Sequence, residues 1–397
     1  MKILIAEDDR VSRKVLEKYL ESWGYEVLQA ADGSEAWDIL SQDASIPLLI
    51  TDLMMPNMDG LELCRKARLL DRVRYLHVIM LTAKGEKQDL LDGMEAGADA
   101  FLTKPFDPPE LQAQIQVAER IIHLEEQLAE RLNELTRAHA RMKSDLQAAA
   151  NVQRSLLPQE PPEDKQVEFS WIFDSCDEVA GDMFSVFRLD EHNIGLYILD
   201  VSGHGVQAAL LSVSICRALT PLPRHDGLLK RYIDTPPHYS IQSPSRVAKE
   251  LNRRFPVFDQ TGQYFTFLYG ILHLPTRKFR FVRAGHPGPI HVHSGQCDVI
   301  EMEGGLPIGV YDNNEYPEHE IQLGQRDQII FYTDGIEEGL NPDGEKFGLD
   351  RIIASLKTHH GAGIKASVKG LQADLSAFIK SERKHDDMTI IGFGLNS

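Results

Sequence analysis

Acidic residues stand beside apolar runs and glycine turns at four places after residue 158. Asp200 ends "YILD" before Gly-His-Gly, Asp182 lies in "EVAGDMF", Asp334 in "FYTDGIEEG", and Asp386 and Asp387 in "KHDDMTIIGFG". A carboxylate beside a buried strand is costly unless a cation compensates it, and glycines let the backbone approach a bound ion. Two hard metal ions bridged by a carboxylate convert a shared water to hydroxide and hold a phosphate for in-line displacement. Mg²⁺ or Mn²⁺ suits such an all-oxygen ligand set better than Zn²⁺.

A second acidic group lies near the N terminus. Asp8, Asp9 and Asp52 each follow an apolar strand, and the carboxyl ends of parallel strands meet at one edge of a sheet. Three neighbouring carboxylates repel each other, and a hard divalent cation relieves that repulsion. Thr82 ends "HVIMLT" and Lys104 ends "AFLTK", which adds a hydroxyl and an ammonium to the same edge. The combination predicts a site for a phosphoryl group on an aspartate.

The segment that positions these N-terminal residues, up to about residue 106, alternates apolar strands with amphipathic helices. Its strands are "KILIA", "YEVLQA", "PLLITD", "HVIMLT" and "AFLTKP", and helices are predicted at 11–22, 34–40, 61–70 and 87–96. Continuous apolar strands between helices predict a parallel five-stranded sheet covered on both faces, which is a doubly wound α/β domain.

The pattern over residues 108–158 predicts one long helix. One position recurs every seventh residue and a companion position follows it: Ile121, Leu128, Leu135, Met142, Ala149 and Leu156, with Leu111, Ala118, Leu132 and Leu146. A sustained heptad pattern predicts a coiled coil, most simply a parallel homodimer through residues 110–157. Because Glu125, His139 and Gln153 interrupt the companion seam, we expect moderate packing. The alternative is a single helix packed on its own domain.

The third segment follows the proline-rich stretch "LLPQEPPEDK". It contains the short β-like runs "FSWIF", "IGLYIL", "YFTFLYGILHL", "KFRFVRAG" and "DQIIFYT", with helices predicted at 206–219 and 367–381. This pattern predicts an α+β domain with an antiparallel β-sandwich core and flanking helices. Residues 221–245 form a long proline-rich connection, which is either an exposed flap near the substrate or a neutral insertion.

Composition narrows the class of protein. The chain has 397 residues, 42% of them hydrophobic, with a formal net charge of −18. That length predicts two or three domains. The acidic charge and the lack of a basic helix-turn-helix argue against a DNA-binding regulator, so no nucleic-acid partner is expected. No apolar run is long enough to span a bilayer, so no membrane association is expected. The start "MKILIAEDDR" is not a signal peptide, and four scattered cysteines predict reduced thiols in a cytoplasmic protein.

The N-terminal motifs "EDD", "TDLMMPNMDG", "LTA" and "FLTKPF" closely resemble the receiver domain of two-component response regulators over about residues 1–120. The resemblance implies that Asp52 is the phosphoacceptor and that Asp8 and Asp9 hold Mg²⁺ beside the Met54 carbonyl. It further implies roles for three other residues: Thr82 and Lys104 contact the phosphoryl oxygens, and Phe101 is the switch aromatic.

The third segment resembles the PPM-type metal-dependent serine/threonine phosphatases, specifically the bacterial SpoIIE/RsbU-like branch. The motifs "NVQRSLLP", "AGDMF", "DVSGHG", "AGHPGP", "GLPIGV", "YTDGIEEGLNPDGEKFG" and "HDDMT" occur in the family's order over about residues 145–395. The resemblance implies a site for two Mn²⁺ or Mg²⁺ ions that Asp200 bridges. Asp182 and the Val201 carbonyl would bind the first ion, and Asp334 and Asp386 the second. Asp387, next to Asp386 in the sequence, is the weaker candidate ligand.

Two histidines have alternative interpretations. His204 in the Gly-His-Gly turn is either a catalytic base or zinc ligand, or a structural residue that holds the loop, and we favour the structural role. His286 in "AGHPGP" is interpreted as structural as well. The branch usually has Gly-Gly-Asp where this chain has Ala180-Gly181-Asp182. The substitution of alanine for the first glycine does not affect the implied ligand Asp182.

Taken together, the resemblances imply a receiver domain at 1–120, a coiled-coil helical linker at 108–157 and a phosphatase domain at 158–397. They imply that a sensor histidine kinase phosphorylates Asp52 and that this controls a phosphoserine/phosphothreonine phosphatase. The substrate they imply is a phosphorylated STAS-type anti-sigma-factor antagonist in a partner-switching pathway. The alternative is a non-enzymatic, phosphorylation-gated adaptor with a degenerate phosphatase domain. Retention of the clustered acids argues against the adaptor.

Overall fold

The computed structural model describes residues 1–70, 72, 74–83, 87–256, 262–380 and 386–396, without the side chains of residues 87–90. The chain divides into two compact units, Met1–Ala140 and Arg141–Ser397. Within the described ranges, no helix combines the length and the apolar character needed to cross a bilayer.

The first unit is a doubly wound α/β domain, as predicted. Its strands are β1 (Lys2–Ala6), β2 (Glu26–Ala30), β3 (Leu48–Asp52), β4 (His77–Ala83) and β5 (Ala100–Lys104), and its helices are α1 (Arg10–Ser22), α2 (Gly33–Gln42), α3 (Gly60–Arg68) and α4 (Lys87–Glu95). The strands are all parallel, in the order β2-β1-β3-β4-β5. Alternate residues of β1 pack into cores on opposite faces, with Leu4 on one face and Ile3 and Ile5 on the other. Burial on both faces explains the continuous apolar strands.

The long helix α5 runs from Pro108 to Arg154. Near its start, Leu111, Ile115 and Ala118 are fully buried in the core of the first unit, whereas every residue from 127 to 145 is exposed. Leu111 and Ala118, which we assigned to the coiled-coil seam, therefore pack against their own domain. Spacing along a helix defines an apolar stripe, but it does not specify whether a sheet or a second helix covers that stripe.

The second unit contains a β-sandwich. Its strands are β6 (Val167–Asp174), β7 (Met183–Arg188), β8 (Asn193–Val201), β9 (Lys230–Tyr232), β10 (Tyr239–Ile241), β11 (Phe265–His273), β12 (Lys278–Ala284), β13 (Ile290–His293), β14 (Gln296–Val299), β15 (Glu318–Gln322), β16 (Gln328–Tyr332) and β17 (Met388–Leu395). Two antiparallel five-stranded sheets have the orders β15-β12-β11-β8-β7 and β14-β13-β16-β17-β6, and β9 pairs with β10.

Helices cover the outer faces of both sheets. They are α6 (Val206–Ala218), α7 (Pro244–Arg254), α8 (Asp334–Glu337), α9 (Gly348–His359) and α10 (Ile364–Ile379). In β8, Leu196 and Ile198 face the core between the sheets, whereas Leu199 and Val201 face the core under α6 and α7. A third core lies between the other sheet and helices α8 to α10. The predicted α+β sandwich is confirmed, but the sequence did not predict α7 or α9, and position 381 of the predicted last helix lies outside the described residues.

Candidate functional site

At the carboxyl edge of the first sheet, oxygens of Glu7, Asp8 and Asp52 lie within 4.8 Å of one another. Lys104 Nζ lies 2.5 Å from Glu7 Oε2 and 2.6 Å from Asp52 Oδ2. Burial alone would lower the pKa of Lys104, but its hydrogen bonds to Asp52 and Glu7 outweigh that effect and raise the pKa. Lys104 is therefore a fixed cation beside Asp52. Three carboxylates against one ammonium leave room for a hard divalent cation.

Asp9, which was expected to bind Mg²⁺ with Asp8, caps a helix instead. Asp9 is exposed at the N-cap of α1, where its Oδ2 accepts a hydrogen bond from Ser12 N at 2.7 Å. That hydrogen bond lowers the pKa of Asp9. The structure places Glu7, which is buried, beside Asp52 instead. The capping rule could have identified this, because a helix that begins at Arg10 makes Asp9 its N-cap.

The other predicted receiver residues occupy neighbouring strands. Thr82 is buried near the end of β4, in register with Thr103 of β5. Phe101 of β5 is half-buried, and its ring lies so close to Gly93 that a β-carbon there would come within 2.4 Å of it. The Met54 side chain is exposed, so only its backbone is available to the site. 

In the second unit, Asp182 is buried just before β7. Its Oδ2 accepts hydrogen bonds from Thr333 Oγ1 at 2.8 Å and from Thr389 Oγ1 at 2.6 Å. Thr333 Oγ1 in turn accepts from Thr389 N at 3.0 Å. Burial and repulsion by Asp200 and Asp387 raise the pKa of Asp182 well above its ordinary value. The two threonines therefore hold one carboxylate oxygen in place and leave the other to face a ligand.

Asp200, at the end of β8, has the clearest electrostatic signature. Burial raises its pKa to about 8, and repulsion by Asp334, Asp386 and Asp387 adds to the effect, while a hydrogen bond with Asp182 opposes it. The acids that were predicted from four separate motifs therefore converge on Asp200. Because this donor set consists of carboxylate oxygens whose mutual repulsion a cation would relieve, it fits hard divalent metal ions.

The neighbouring acids Asp386 and Asp387 have different surroundings. Asp387 is buried, its Oδ1 accepts from Cys176 N at 2.8 Å and its Oδ2 accepts from Gly181 N at 2.6 Å. Asp386 is half-buried, and its pKa is raised by burial and by repulsion from Asp334 and Asp387. Asp387 thus holds the loop before Asp182, while Asp386 faces the other acids.

Gly181 lies against the end of β8. A β-carbon at this position would lie 3.0 Å from the Val201 carbonyl oxygen and 3.3 Å from that of Gly203. Contacts below about 3.4 Å require the neighbour to move, so a side chain here would push the loop away from the Val201 carbonyl. The close approach brings Asp182 and the Val201 carbonyl to one side of the site.

The end of α5 contacts the same loop. Gln153 is buried, its Nε2 donates to the Ala180 carbonyl at 2.7 Å and to Ser212 Oγ at 3.0 Å, and its Oε1 accepts from Ala180 N at 3.0 Å. One side chain therefore satisfies both backbone groups of the residue two positions before Asp182. We had interpreted Gln153 as an interruption of the heptad seam, and its hydrogen bonds explain why a polar residue lies there.

The two histidines lie at different depths. His204 is exposed, and its Nδ1 lies 3.0 Å from Asp177 Oδ2. His286 is buried, and its Nδ1 lies 2.7 Å from Thr266 Oγ1. Thr266 is the residue of β11 that pairs with Asp200. Burial lowers the pKa of His286 to about 3, so the neutral ring can support Thr266 beside Asp200.

The sequence analysis gave no site role to Glu7, Thr333, Thr389 or Gln153. Thr333 and Thr389 lie inside the quoted motifs "YTDG" and "HDDMT". Their position one residue before Asp334 and two after Asp387 was the available signal. Only the pairing of β16 with β17 brings both hydroxyls to Asp182.

Comparisons with known proteins assign a family to each unit. The first unit has the fold and acidic edge of a receiver, and residues 3–116 match the family described as "Response regulator receiver domain". Chemotaxis protein CheY1 of Helicobacter pylori is 37% identical over 118 residues, which cover 30% of this chain and 95% of that protein. A chemotaxis protein CheY homologue of Campylobacter jejuni is 35% identical over 29% of this chain and 90% of its own length.

The second unit has the fold of a PP2C domain. Residues 190–396 match the family described as "Stage II sporulation protein E (SpoIIE)", so the chain belongs to the SpoIIE family and carries an N-terminal response regulator receiver domain. The solved SiaA-PP2C domain of Pseudomonas aeruginosa shares its fold, with a TM-score of 0.53 and 19% identity over 65% of this chain and 98% of that one. The domain order is that of a response regulator that controls a phosphatase.

Proposed function

We propose that phosphorylation of Asp52 by a sensor histidine kinase controls a metal-dependent phosphoserine/phosphothreonine phosphatase in the second unit. The observation that carries the proposal is the convergence of Asp334, Asp386 and Asp387 on the buried Asp200, whose pKa is raised to about 8 by burial first and by their repulsion in addition. Such repulsion is costly for a scaffold and is relieved by bound cations. The receiver site supports the regulatory part, because Lys104 lies 2.6 Å from the Asp52 carboxylate.

In the receiver, Asp8, Asp52 and the Met54 carbonyl would hold Mg²⁺, with Glu7 in the position that we had assigned to Asp9. A phosphoryl group on Asp52 would meet the Lys104 ammonium, and Thr82 on the adjacent strand would supply a hydroxyl donor. Phe101 would act as the switch aromatic, since its ring packs on helix α4 at Gly93.

In the phosphatase, Asp200 would bridge two Mn²⁺ or Mg²⁺ ions. Asp182 and the Val201 carbonyl would complete one site, and Asp334 and Asp386 the other. When bound, such a pair of ions supplies a hydroxide nucleophile at neutral pH and neutralises charge on the phosphate. Asp387 is given a positioning role, because both of its oxygens accept backbone N–H groups of the loop that carries Asp182.

The substrate that we propose is a phosphorylated STAS-type anti-sigma-factor antagonist in a partner-switching pathway. Support for it comes from membership of the SpoIIE family and from the receiver that precedes the phosphatase. 

We also propose that the chain is a homodimer through the exposed part of α5. Leu128, Leu132, Leu135 and Met142 are 57–67% exposed, and they recur at heptad-like spacing along one stripe. An apolar stripe of this kind on a free helix is stabilised by a second helix. A change in the geometry of that pair would reach Asp182 through Gln153, which bonds to both backbone groups of Ala180.

The test is phosphatase turnover with Mn²⁺, measured with and without beryllofluoride as an acyl-phosphate mimic at Asp52. We expect a phosphoserine protein to be dephosphorylated in a reaction that requires Mn²⁺ and changes in rate with beryllofluoride. Asp200→Asn should lose this turnover, and the exposed control Asp343→Asn should retain it. In Asp52→Asn the response to beryllofluoride should vanish while basal turnover remains.

Two results would contradict the proposal. Turnover that is absent in every metal and beryllofluoride state, on several phosphoproteins, would favour the adaptor. If Leu135→Asp changes neither the basal turnover nor the beryllofluoride response, the helix does not transmit the signal from the receiver to the phosphatase.

A further inference from the structure

Basic residues are concentrated in one part of the phosphatase unit. Residues 217–254 contain eight Lys and Arg against three Asp and Glu, a net charge of +5 in a chain whose net charge is −18. This segment covers the end of α6, the β9–β10 hairpin and α7. The rest of the chain is strongly acidic on balance, so this segment is a region of positive charge that would attract an acidic protein.

The hairpin within this segment is well anchored. Leu228 and Leu229 are buried in the core under α6 and α7, and Ile241 packs against the same core. Gln242 N donates to the Leu229 carbonyl at 2.9 Å, and Arg254 Nη2 of α7 donates to the Asp226 carbonyl at 2.6 Å. The proline-rich connection at 221–245 is thus a built element with a defined outer face.

Two arginines lie side by side on this element. The backbone of Arg224 forms a bridge with Arg231 of β9, and Tyr232 N donates to the Arg224 carbonyl at 2.9 Å. Among the described residues, Arg231 Nε is buried without a hydrogen-bond partner, and the exposed Arg224 side chain takes part in no ion pair. Two guanidinium groups on neighbouring backbone positions can both bind an anionic group of a partner.

Aromatic and apolar side chains flank the arginines. The exposed Tyr232 ring lies between two exposed histidines, with centroid distances of 5.0 Å to His225 and 6.2 Å to His238. Leu222 is 62% exposed beside them. Arginine together with exposed tyrosine and a neighbouring leucine is the composition of protein–protein contact surfaces rather than of a solvated loop.

We infer that the surface of this hairpin, which carries Arg224, Arg231 and Tyr232 with the neighbouring His225 and His238, docks an acidic surface of the phosphoprotein substrate. The inference rests on the proposed function and adds to it a docking surface separate from the metal ligands. A phosphoprotein brings additional negative charge through its phosphate, and the chain offers it one basic face. The exposed acids Asp226 and Asp234 within the same hairpin disfavour a nucleic acid or an anionic membrane, which present uniform negative charge.

The test compares two substrates of the full-length protein in Mn²⁺: phosphocasein, an acidic phosphoserine protein, and p-nitrophenyl phosphate, which has no protein surface to dock. The variant is Arg224→Gln/Arg231→Gln. We expect the ratio of kcat/KM for phosphocasein to kcat/KM for the small ester to fall about tenfold at low salt. The fall should come from KM and should shrink at high salt, because salt screens the interaction.

The matched control is Lys357→Gln/Lys369→Gln, which removes two exposed cations from α9 and α10 and should leave the ratio unchanged. Tyr232→Ala provides a second variant that keeps both charges and should lower the same ratio. Circular dichroism checks that each variant is folded.

An unchanged ratio in both hairpin variants, with both substrates turned over, would overturn the docking surface and leave the proposed function intact. No turnover of either substrate by the parent protein would overturn the proposed function and the docking surface with it. Binding to phosphatidylserine vesicles or to a DNA duplex that depends on Arg224 and Arg231, with an unchanged ratio, would assign the face to a polyanion and overturn the inference.

Discussion

Gln153 allows a sharp test of how the linker helix reaches the metal site. In Gln153→Leu the buried N–H and C=O of Ala180 lose their partners. Each unpaired buried group costs about 1–3 kcal/mol, so the free energy of unfolding should fall by about 2–6 kcal/mol. Because Ala180 lies two residues before Asp182, part of this loss should appear as weaker metal binding. A share of about 1.4 kcal/mol corresponds to a tenfold loss of Mn²⁺ affinity.

The assay is p-nitrophenyl phosphate turnover as a function of Mn²⁺ concentration, together with urea unfolding. Gln147→Leu is the matched control, since Gln147 is exposed on the same helix and its replacement should change neither measurement. We expect the Mn²⁺ concentration for half-maximal turnover to rise about tenfold in Gln153→Leu, and turnover to recover at high Mn²⁺. If the Mn²⁺ dependence of Gln153→Leu equals that of Gln147→Leu, Gln153 does not position Asp182.

Three further predictions concern the acids and the helix. The pKa of Asp200 in the folded protein, about 8, lies above its ordinary value of 3.8, so the metal-free folded protein holds a proton that the unfolded chain releases. Its unfolding free energy should therefore fall between about pH 4 and pH 8. Asp200→Asn should flatten that slope and stabilise the metal-free protein at pH 7 by about 4 kcal/mol, because about three pH units separate pH 7 from the ordinary pKa of 3.8 at about 1.4 kcal/mol each. Urea unfolding measures this, and equal slopes in the two proteins would refute it. Asp387→Asn should lower the unfolding free energy by about 1–3 kcal/mol because one N–H loses its acceptor. Asp386→Asn should mainly weaken Mn²⁺ binding. If instead Asp386→Asn destabilises the fold and Asp387→Asn weakens Mn²⁺ binding, the two roles are exchanged. Leu135→Asp should shift the protein from dimer to monomer in sedimentation, whereas Asn133→Asp on the opposite face should not, and a monomeric parent protein would refute the dimer.

Much of the fold was predictable because its signals are local. Apolar strands that alternate with amphipathic helices define the doubly wound domain, and the observed β1–β5 order follows that class. In the second unit the strands around "IGLYIL" and "KFRFVRAG" were recognised, because both faces of their sheets are buried. Helices α7 and α9 were not predicted, although each carries an apolar stripe, with Val247 and Leu251 in α7 and Ile352 and Leu356 in α9. Both are short, and α7 begins inside the proline-rich connection, where an extended loop was expected.

The candidate site was predictable to a similar extent. Four motifs located the acids that converge on Asp200, because carboxylates at strand ends and glycine turns are visible in the sequence. The choice between Asp386 and Asp387 was not visible in the sequence, and for Asp9 the helix-capping rule was the available signal. Asp9 caps a helix while Glu7 and Asp8 face Asp52, since a shift of one position along the chain changes which way a side chain points.

The sequence by itself determined the domain classes, the acidic chemistry of both sites and the heptad stripe of the linker, because residue type and spacing encode them directly. Only the tertiary structure decided which side chains meet. Gln153 reaches Ala180, Thr333 and Thr389 both reach Asp182, and Arg224 lies beside Arg231. These contacts join residues distant along the chain, and strand pairing and helix packing set their distances, so no local pattern could specify them.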